Sequence, residues 1–206
     1  MITTRTAKQC GQADYGWLQA RYTFSFVQPR TYPKVDILNL ILDGEAEYRD
    51  SDGNHVQAKA GEALLLAAQP GISYSEHNLS KVKPLTRMQL WLDACPEREN
   101  ALVQKIPLLA AQQQLLASPD GEQNSLQLRQ QVWVHHITLE KGESLNFQLH
   151  GPRAYLQSIH GTFHAMTHNE EREALTCGDG AFIRDEPNIT LVADTPLRAL
   201  LVDLPV

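Results

Sequence analysis

Period-two alternation of apolar and polar positions dominates this chain. Leu38, Leu40 and Leu42 alternate with Ile37, Asn39 and Ile41, and Asp43-Gly44 then reads as a tight hairpin turn. A second strand is predicted over residues 45–49, ahead of the turn signal Ser51-Asp52-Gly53-Asn54. Further strands are predicted over 55–58, 63–67 and 87–92. The second half repeats the rhythm. Trp133, His135, Ile137 and Leu139 alternate with Val132, Val134, His136 and Thr138, and strands follow at 155–159, 163–166, 182–184, 189–193 and 197–203. Short strands joined by Gly, Asp and Pro turns predict an all-β sandwich or barrel.

The halves superimpose in sequence. A shift of 117 positions carries Gly44 to Gly161, Gly61 to Gly178 and Pro70 to Pro187, each at a matching turn. Agreement of punctuation and strand rhythm predicts a duplicated domain. Between the repeats lies one helix candidate. Pro96 suits a first helical position, with Glu97 and Glu99 in the first turn, and the segment runs to about Lys105, before Pro107. Ser118-Pro119-Asp120-Gly121 marks a turn near the boundary. The expected organisation is a first domain over 1–95, a helix and linker over 96–124, and a second domain over 125–206.

Composition narrows the partners. The net charge is −6, with no basic block, so a phosphate backbone is repelled and nucleic acid is not an expected partner. The first residues, MITTRTAKQC, hold no apolar run, and no stretch has the length of a membrane span. A soluble, cytoplasmic protein without membrane contact is expected. Cys10, Cys95 and Cys177 are odd in number and widely spaced, which predicts reduced thiols rather than a disulfide framework.

Three segments carry a resemblance. GQADYGWLQARYTFSF (residues 11–26) resembles the N-terminal signature of pirins, ILDGEAEYRDSDGN (residues 41–54) the hairpin of their first cupin domain, and PGISYSEHN (residues 70–78) their second cupin motif. The resemblance implies a bicupin fold: two jelly-roll-type β-barrels in one chain. One departure is large. Pirins carry an extra segment, about two strands long, after the TFSF run, whereas here Phe26 passes through Val27 almost directly to Gln28. A first barrel shortened there would expose an edge, through which dimers could form from an otherwise monomeric chain.

The resemblance also implies a metal site, and this chain departs from it. Pirins hold a divalent metal with three His and one Glu. The corresponding positions here are Arg30, Tyr32, Tyr74 and Glu76, with Asp36 at the acidic position that follows the first motif. Arg has no lone pair to donate, and Tyr ligates mainly as a phenolate, against a reference pKa of about 10. One remaining carboxylate does not build a transition-metal site. No metal and no other cofactor is therefore expected. The cavity then reads in two ways: Arg30 and the tyrosines receive a small anion or polar ligand, or Arg30 and Glu76 pair and fill the barrel. The shift of 117 maps the four positions to Phe147, Leu149, Leu191 and Ala193, so the second interior is expected to be apolar and packed.

Remaining candidates are weaker. His135 and His136 are adjacent on a strand and point to opposite faces, so they cannot chelate together. His160, His164 and His168 are spaced by four around Gly161 and read as surface or structural residues, and His77 should point away from the barrel interior. Cys95 precedes Pro96 at the expected helix start, where the dipole would favour a thiolate open to oxidation, while Asp93, Glu97 and Glu99 oppose it. An inert thiol is the alternative. Cys177 reads as a turn residue and Glu170-Glu171 as solvated loop. No catalytic residue is assigned. Three functions follow: a metal-free binding module with Cys95 as candidate redox thiol; a metal-dependent dioxygenase of the quercetinase type, as the pirin resemblance allows; or a protein-interaction cofactor.

Overall fold

A computed structural model describes residues 1–5, 12–14, 18–24, 30–31, 34–169 and 171–205, with side chains over 1–3, 34–169 and 171–205. The chain forms two compact units that are not contiguous in sequence. One holds residues 11–108 and 120–130, the other 1–10, 109–119 and 131–206.

The first unit is built from β2 (Gln12–Asp14), β3 (Leu18–Phe24), β4 (Arg30–Thr31), β5 (Val35–Asp43), β6 (Glu45–Asp50), β7 (His55–Lys59), β8 (Glu62–Ala68), β9 (Ser73–Asn78), β10 (Thr86–Asp93), β11 (Val103–Pro107) and β13 (Leu126–Gln127). One sheet runs β11-β8-β5-β10-β3-β2 and the other β4-β9-β6-β7. The second unit is built from β1 (Ile2–Arg5), β12 (Gln113–Ser118), β14 (Trp133–Leu139), β15 (Ser144–Gln148), β16 (Arg153–His160), β17 (Phe163–Thr167), β18 (Arg172–Leu175), β19 (Gly180–Arg184), β20 (Asn188–Ala193) and β21 (Leu197–Leu204). Its strands run β1-β19-β16-β21-β14-β12 and β15-β20-β17-β18. The two orders correspond strand for strand, which establishes the duplication and the all-β, two-barrel class. The first strand of the chain, β1, belongs to the second unit, where it occupies the edge that β11 occupies in the first.

The turns that punctuate the repeats are physically equivalent. Gly44 and Gly161 have φ of 89° and 87°, a left-handed conformation that favours glycine. A Cβ at Gly44 would lie 3.1 Å from the Pro84 carbonyl oxygen, and one at Gly161 only 2.1 Å from that of Pro196. Glycine is needed at both positions for conformation and for the close approach of backbone.

The expected helix over 96–105 does not form. Pro96-Glu97 makes a single turn, closed by the Arg98 N–H on the Cys95 carbonyl at 3.1 Å. The chain then enters β11, whose backbone pairs with β8 from Val103↔Leu66 to Pro107↔Glu62. Local start signals lost to a tertiary ladder: a segment this short is a marginal helix in isolation, and its exposure alternates with a period of two. The one helical element among the described residues is a 3₁₀ turn over Glu122–Asn124. No described helix is long and apolar enough to cross a membrane.

The segment 120–130 is clipped to the first barrel by a buried ion pair. Arg129 Nε donates to Asp36 Oδ1 at 2.9 Å and the Arg129 backbone N–H to Oδ2 at 2.6 Å. Arg129 Nη2 also donates to the carbonyls of Val35 and Ala68. Asp36 is thus committed to structure.

Candidate functional site

The site expected from the sequence is the interior of the first barrel. Along β5 the side chains of Val35, Ile37 and Ile41 enter a core with Tyr48, Leu64, Leu66 and Tyr74, and Trp91 packs on it. Alternation places Asn39 on that same inward face, and cross-strand register places Arg87, Gln89 and Trp91 of β10 opposite Ile41, Asn39 and Ile37. On β9, Glu76 lies opposite Tyr48 of β6, and Tyr74 opposite Asp50. The backbone of Arg30 pairs with Tyr74, so two of the four inherited positions are neighbours on adjacent strands. The Arg30 side chain lies outside the described residues, as do Tyr32, Cys10 and Glu170.

Glu76 pairs with Arg87. Arg87 Nε donates to Glu76 Oε2, and the side chains are only 9% and 13% exposed. The expected alternative had Arg30 as the partner of Glu76. Among the described side chains, the guanidinium that meets this carboxylate is that of Arg87, from the next strand. A polar chain continues inward: Trp91 Nε1 donates to Gln89 Oε1 at 2.6 Å, and Gln89 Nε2 to Asn39 Oδ1 at 2.7 Å. Asn39 Oδ1 also accepts from Tyr48 OH at 3.4 Å, and Asn39 Nδ2 donates to the Ile37 carbonyl. These amides are buried and bonded to one another, as a fully desolvated network requires. A recess of about 10 Å³, room for about one water molecule, is lined by Tyr48, Leu66 and Tyr74 and, at the surface, by Asn54, His55 and Val103.

These residues do not fit a divalent metal. The one carboxylate left in the motif is neutralised by a guanidinium, whose charge repels a cation, and its strand neighbour offers a phenol. Among the described residues no three His, Cys, Asp or Glu side chains come together with the spacing of a metal site. Sequence reading missed Asn39, Arg87, Gln89 and Trp91. The available signal was polar residues at inward positions of otherwise apolar strands.

Comparison with known proteins places the chain. The family profile described as Pirin matches residues 20–92, and that described as Quercetinase C-terminal cupin domain matches 115–204. The chain is 73% identical to Pirin-like protein YhaK of Escherichia coli (strain K12) over 233 residues, covering all of both chains. This chain belongs to the pirin family. It is also 32% identical to a Quercetin 2,3-dioxygenase of the same organism, over 100% of this chain and 99% of that one. Among solved structures, E. coli YhaK superimposes with a TM-score of 0.86 at 69% identity, over 100% of this chain and 94% of that one. The pirin YhhW of E. coli in complex with nickel(II) does so with 0.84 at 27% identity, over 100% and 99%. Alignment of 206 residues over 233 positions leaves at least 27 positions without a residue of this pirin.

The remaining candidates are dispersed. His77 Nε2 lies 3.0 Å from Ser75 Oγ, on the face of β9 opposite Tyr74 and Glu76. His135 and His136 are buried on opposite faces, and desolvation lowers the pKa of each to about 4. His164 Nδ1 lies 2.7 Å from Asp194, and His168 Nδ1 3.1 Å from Glu186. Phe147, Leu149, Leu191 and Ala193 all lie in the apolar core of the second barrel. Cys95 is half-buried, with Sγ 3.2 Å from Gln130 Oε1. No helix follows it, so the dipole that would have favoured its thiolate is absent.

Proposed function

We propose that this chain is a metal-independent member of the pirin family without quercetin 2,3-dioxygenase activity, whose first barrel accepts at most a small polar or anionic ligand. The observation that carries this reading is the Glu76–Arg87 pair, which neutralises the last acidic ligand position of the motif. The Asn39–Gln89–Trp91 chain supports it, because its buried groups satisfy one another rather than a bound ion. A ligand would then have to be met by Arg30 and Tyr32 as well as Tyr74.

Identity to a named Quercetin 2,3-dioxygenase makes oxygenase chemistry the competing reading. Fold alone does not carry that chemistry, which in the competing reading needs a bound metal. Oxygen uptake with quercetin, measured with and without added iron, nickel or copper, separates the two. The expected rate equals that of the protein-free blank in every case. Turnover that rises with added metal and saturates with quercetin overturns the proposal.

A further inference from the structure

The inherited positions of the second barrel are apolar, yet its interior is not apolar throughout. Along β14 the side chains of Ile137 and Leu139 enter the core, and alternation puts Trp133 and His135 on the same inward face. Along β21 Leu197, Ala199 and Leu201 enter it, and Asp203 is the next inward position. The register sets Trp133 opposite Asp203 and His135 opposite Leu201, so His135 and Asp203 are diagonal neighbours on adjacent strands. Such neighbours stand about 7–8 Å apart, and less between their Cβ atoms. The His135 ring also meets the core residue Phe147 edge-on, with centroids 4.5 Å apart.

Each of these two residues carries a buried polar atom that has no hydrogen-bond partner among the described residues: Asp203 Oδ1 and His135 Nε2. The residues are 0% and 6% exposed, which leaves bulk water no access to answer for them. Their other polar atoms are accounted for. Asp203 Oδ2 accepts both the backbone N–H and the Nδ1 of His150, each at 2.8 Å. Gln113 Nε2 lies 3.4 Å from His135 Nδ1. An amide N–H there makes Nδ1 the acceptor and leaves the ring proton on Nε2. Burial keeps that ring neutral at pH 7, with its pKa lowered to about 4. The two orphaned atoms are therefore complementary, one a donor and the other an anionic acceptor, and they do not bond each other directly. Buried groups of this kind are almost always paired, through ordered water where the protein itself falls short.

We propose that one buried water molecule bridges the two strands here, accepting from His135 Nε2–H and donating to Asp203 Oδ1. A water bonded to both at about 2.8 Å holds them about 4.5 Å apart, an interval that diagonal neighbours reach with their side chains. The bridge completes a hydrogen-bonded relay between solvent and core. At its outer end is His150, with 48% of its side chain exposed and its ring stacked on Trp133 at 4.1 Å between centroids. Asp203, the water and His135 follow in turn. The relay lies wholly in the second barrel and does not depend on the function proposed for the first.

The test is NMR of the full chain, labelled with ¹⁵N, at pH 7. Two-bond correlation spectra are expected to show His135 with its proton on Nε2 and His150 with its proton on Nδ1. A ROESY spectrum is expected to show a cross-peak between His135 Nε2–H and water, with the sign of dipolar contact and not of chemical exchange. Asp203→Asn keeps the shape of the side chain and removes the charge that polarises the water. It is expected to move the His135 Nε2–H signal upfield. A His135 proton on Nδ1, an Nε2–H signal with no dipolar contact to water, or one exchanging with bulk too fast to be seen overturns the proposal. So does an Nε2–H signal that Asp203→Asn leaves unmoved.

Discussion

Glu76 of β9 and Arg87 of β10 are joined by a charge-assisted hydrogen bond inside the first barrel, with little of either side chain open to solvent. A pair of this kind is costly to break one partner at a time, because the survivor is a buried, uncompensated charge. Arg87→Met is therefore expected to destabilise the protein by about 3–5 kcal/mol, while Arg87→Met with Glu76→Leu loses much less. Urea unfolding of the two variants measures this. Equal losses in single and double variants would show that the pair is not coupled.

The two equivalent glycines differ in how closely backbone approaches them. A Cβ at Gly161 meets the Pro196 carbonyl oxygen at 2.1 Å, which forces backbone to move, whereas Gly44 has 3.1 Å to the Pro84 oxygen. Both substitutions to Ala also strain a positive φ. Gly161→Ala is expected to lower the thermal midpoint more than Gly44→Ala. The reverse order would mean that the turns are not equivalent in the way their geometry indicates.

Stability should fall in mild acid because of His135 and His136. Burial lowers both pKa values from 6.5 to about 4, so the unfolded chain binds protons that the folded chain refuses. Stability is then complete above pH 6.5 and declines as pH drops toward 4, by on the order of 3 kcal/mol per histidine. In His136→Gln, the amide oxygen can keep the bond from Arg198 Nε, and about one proton's worth of this slope should disappear. Urea midpoints at pH 7.5, 5.5 and 4.5 read the slope. A wild-type midpoint that is flat across this window would contradict the burial of these rings.

Thiol accessibility tests the redox expectation. Cys177 is exposed, with Sγ against the Ile159 carbonyl, whereas Cys95 is half-buried against Gln130. A thiol reagent followed by mass spectrometry is expected to label Cys177 ahead of Cys95. Faster labelling of Cys95 would support it as a redox thiol on grounds other than a helix dipole.

What could be read from sequence follows a physical divide. The duplicated barrel was legible because alternation and turn chemistry are local: Gly44 and Gly161 announce their turns wherever the rest of the chain goes. Tyr74 and Glu76 could be read as neighbouring positions of one site because they sit in a short motif. The partner of Glu76 could not be read, because Arg87 reaches it only through the register of a following strand. The helix over 96–105 failed for the same reason, since Pro96 and Glu97 are local signals and the β11–β8 ladder is not. In the second barrel, the inherited positions on β15 and β20 are apolar. Asp203 and His150, 53 residues apart, meet at the mouth through contacts that no spacing reveals.

Elemental analysis reaches the central claim most directly. The full chain, purified from medium supplemented with iron, nickel and copper and dialysed without chelator, is expected to carry no stoichiometric transition metal, because a guanidinium neutralises the only carboxylate left in the first-barrel motif. About one tightly held metal ion per chain, lost when Glu76 is replaced by Gln, would contradict it.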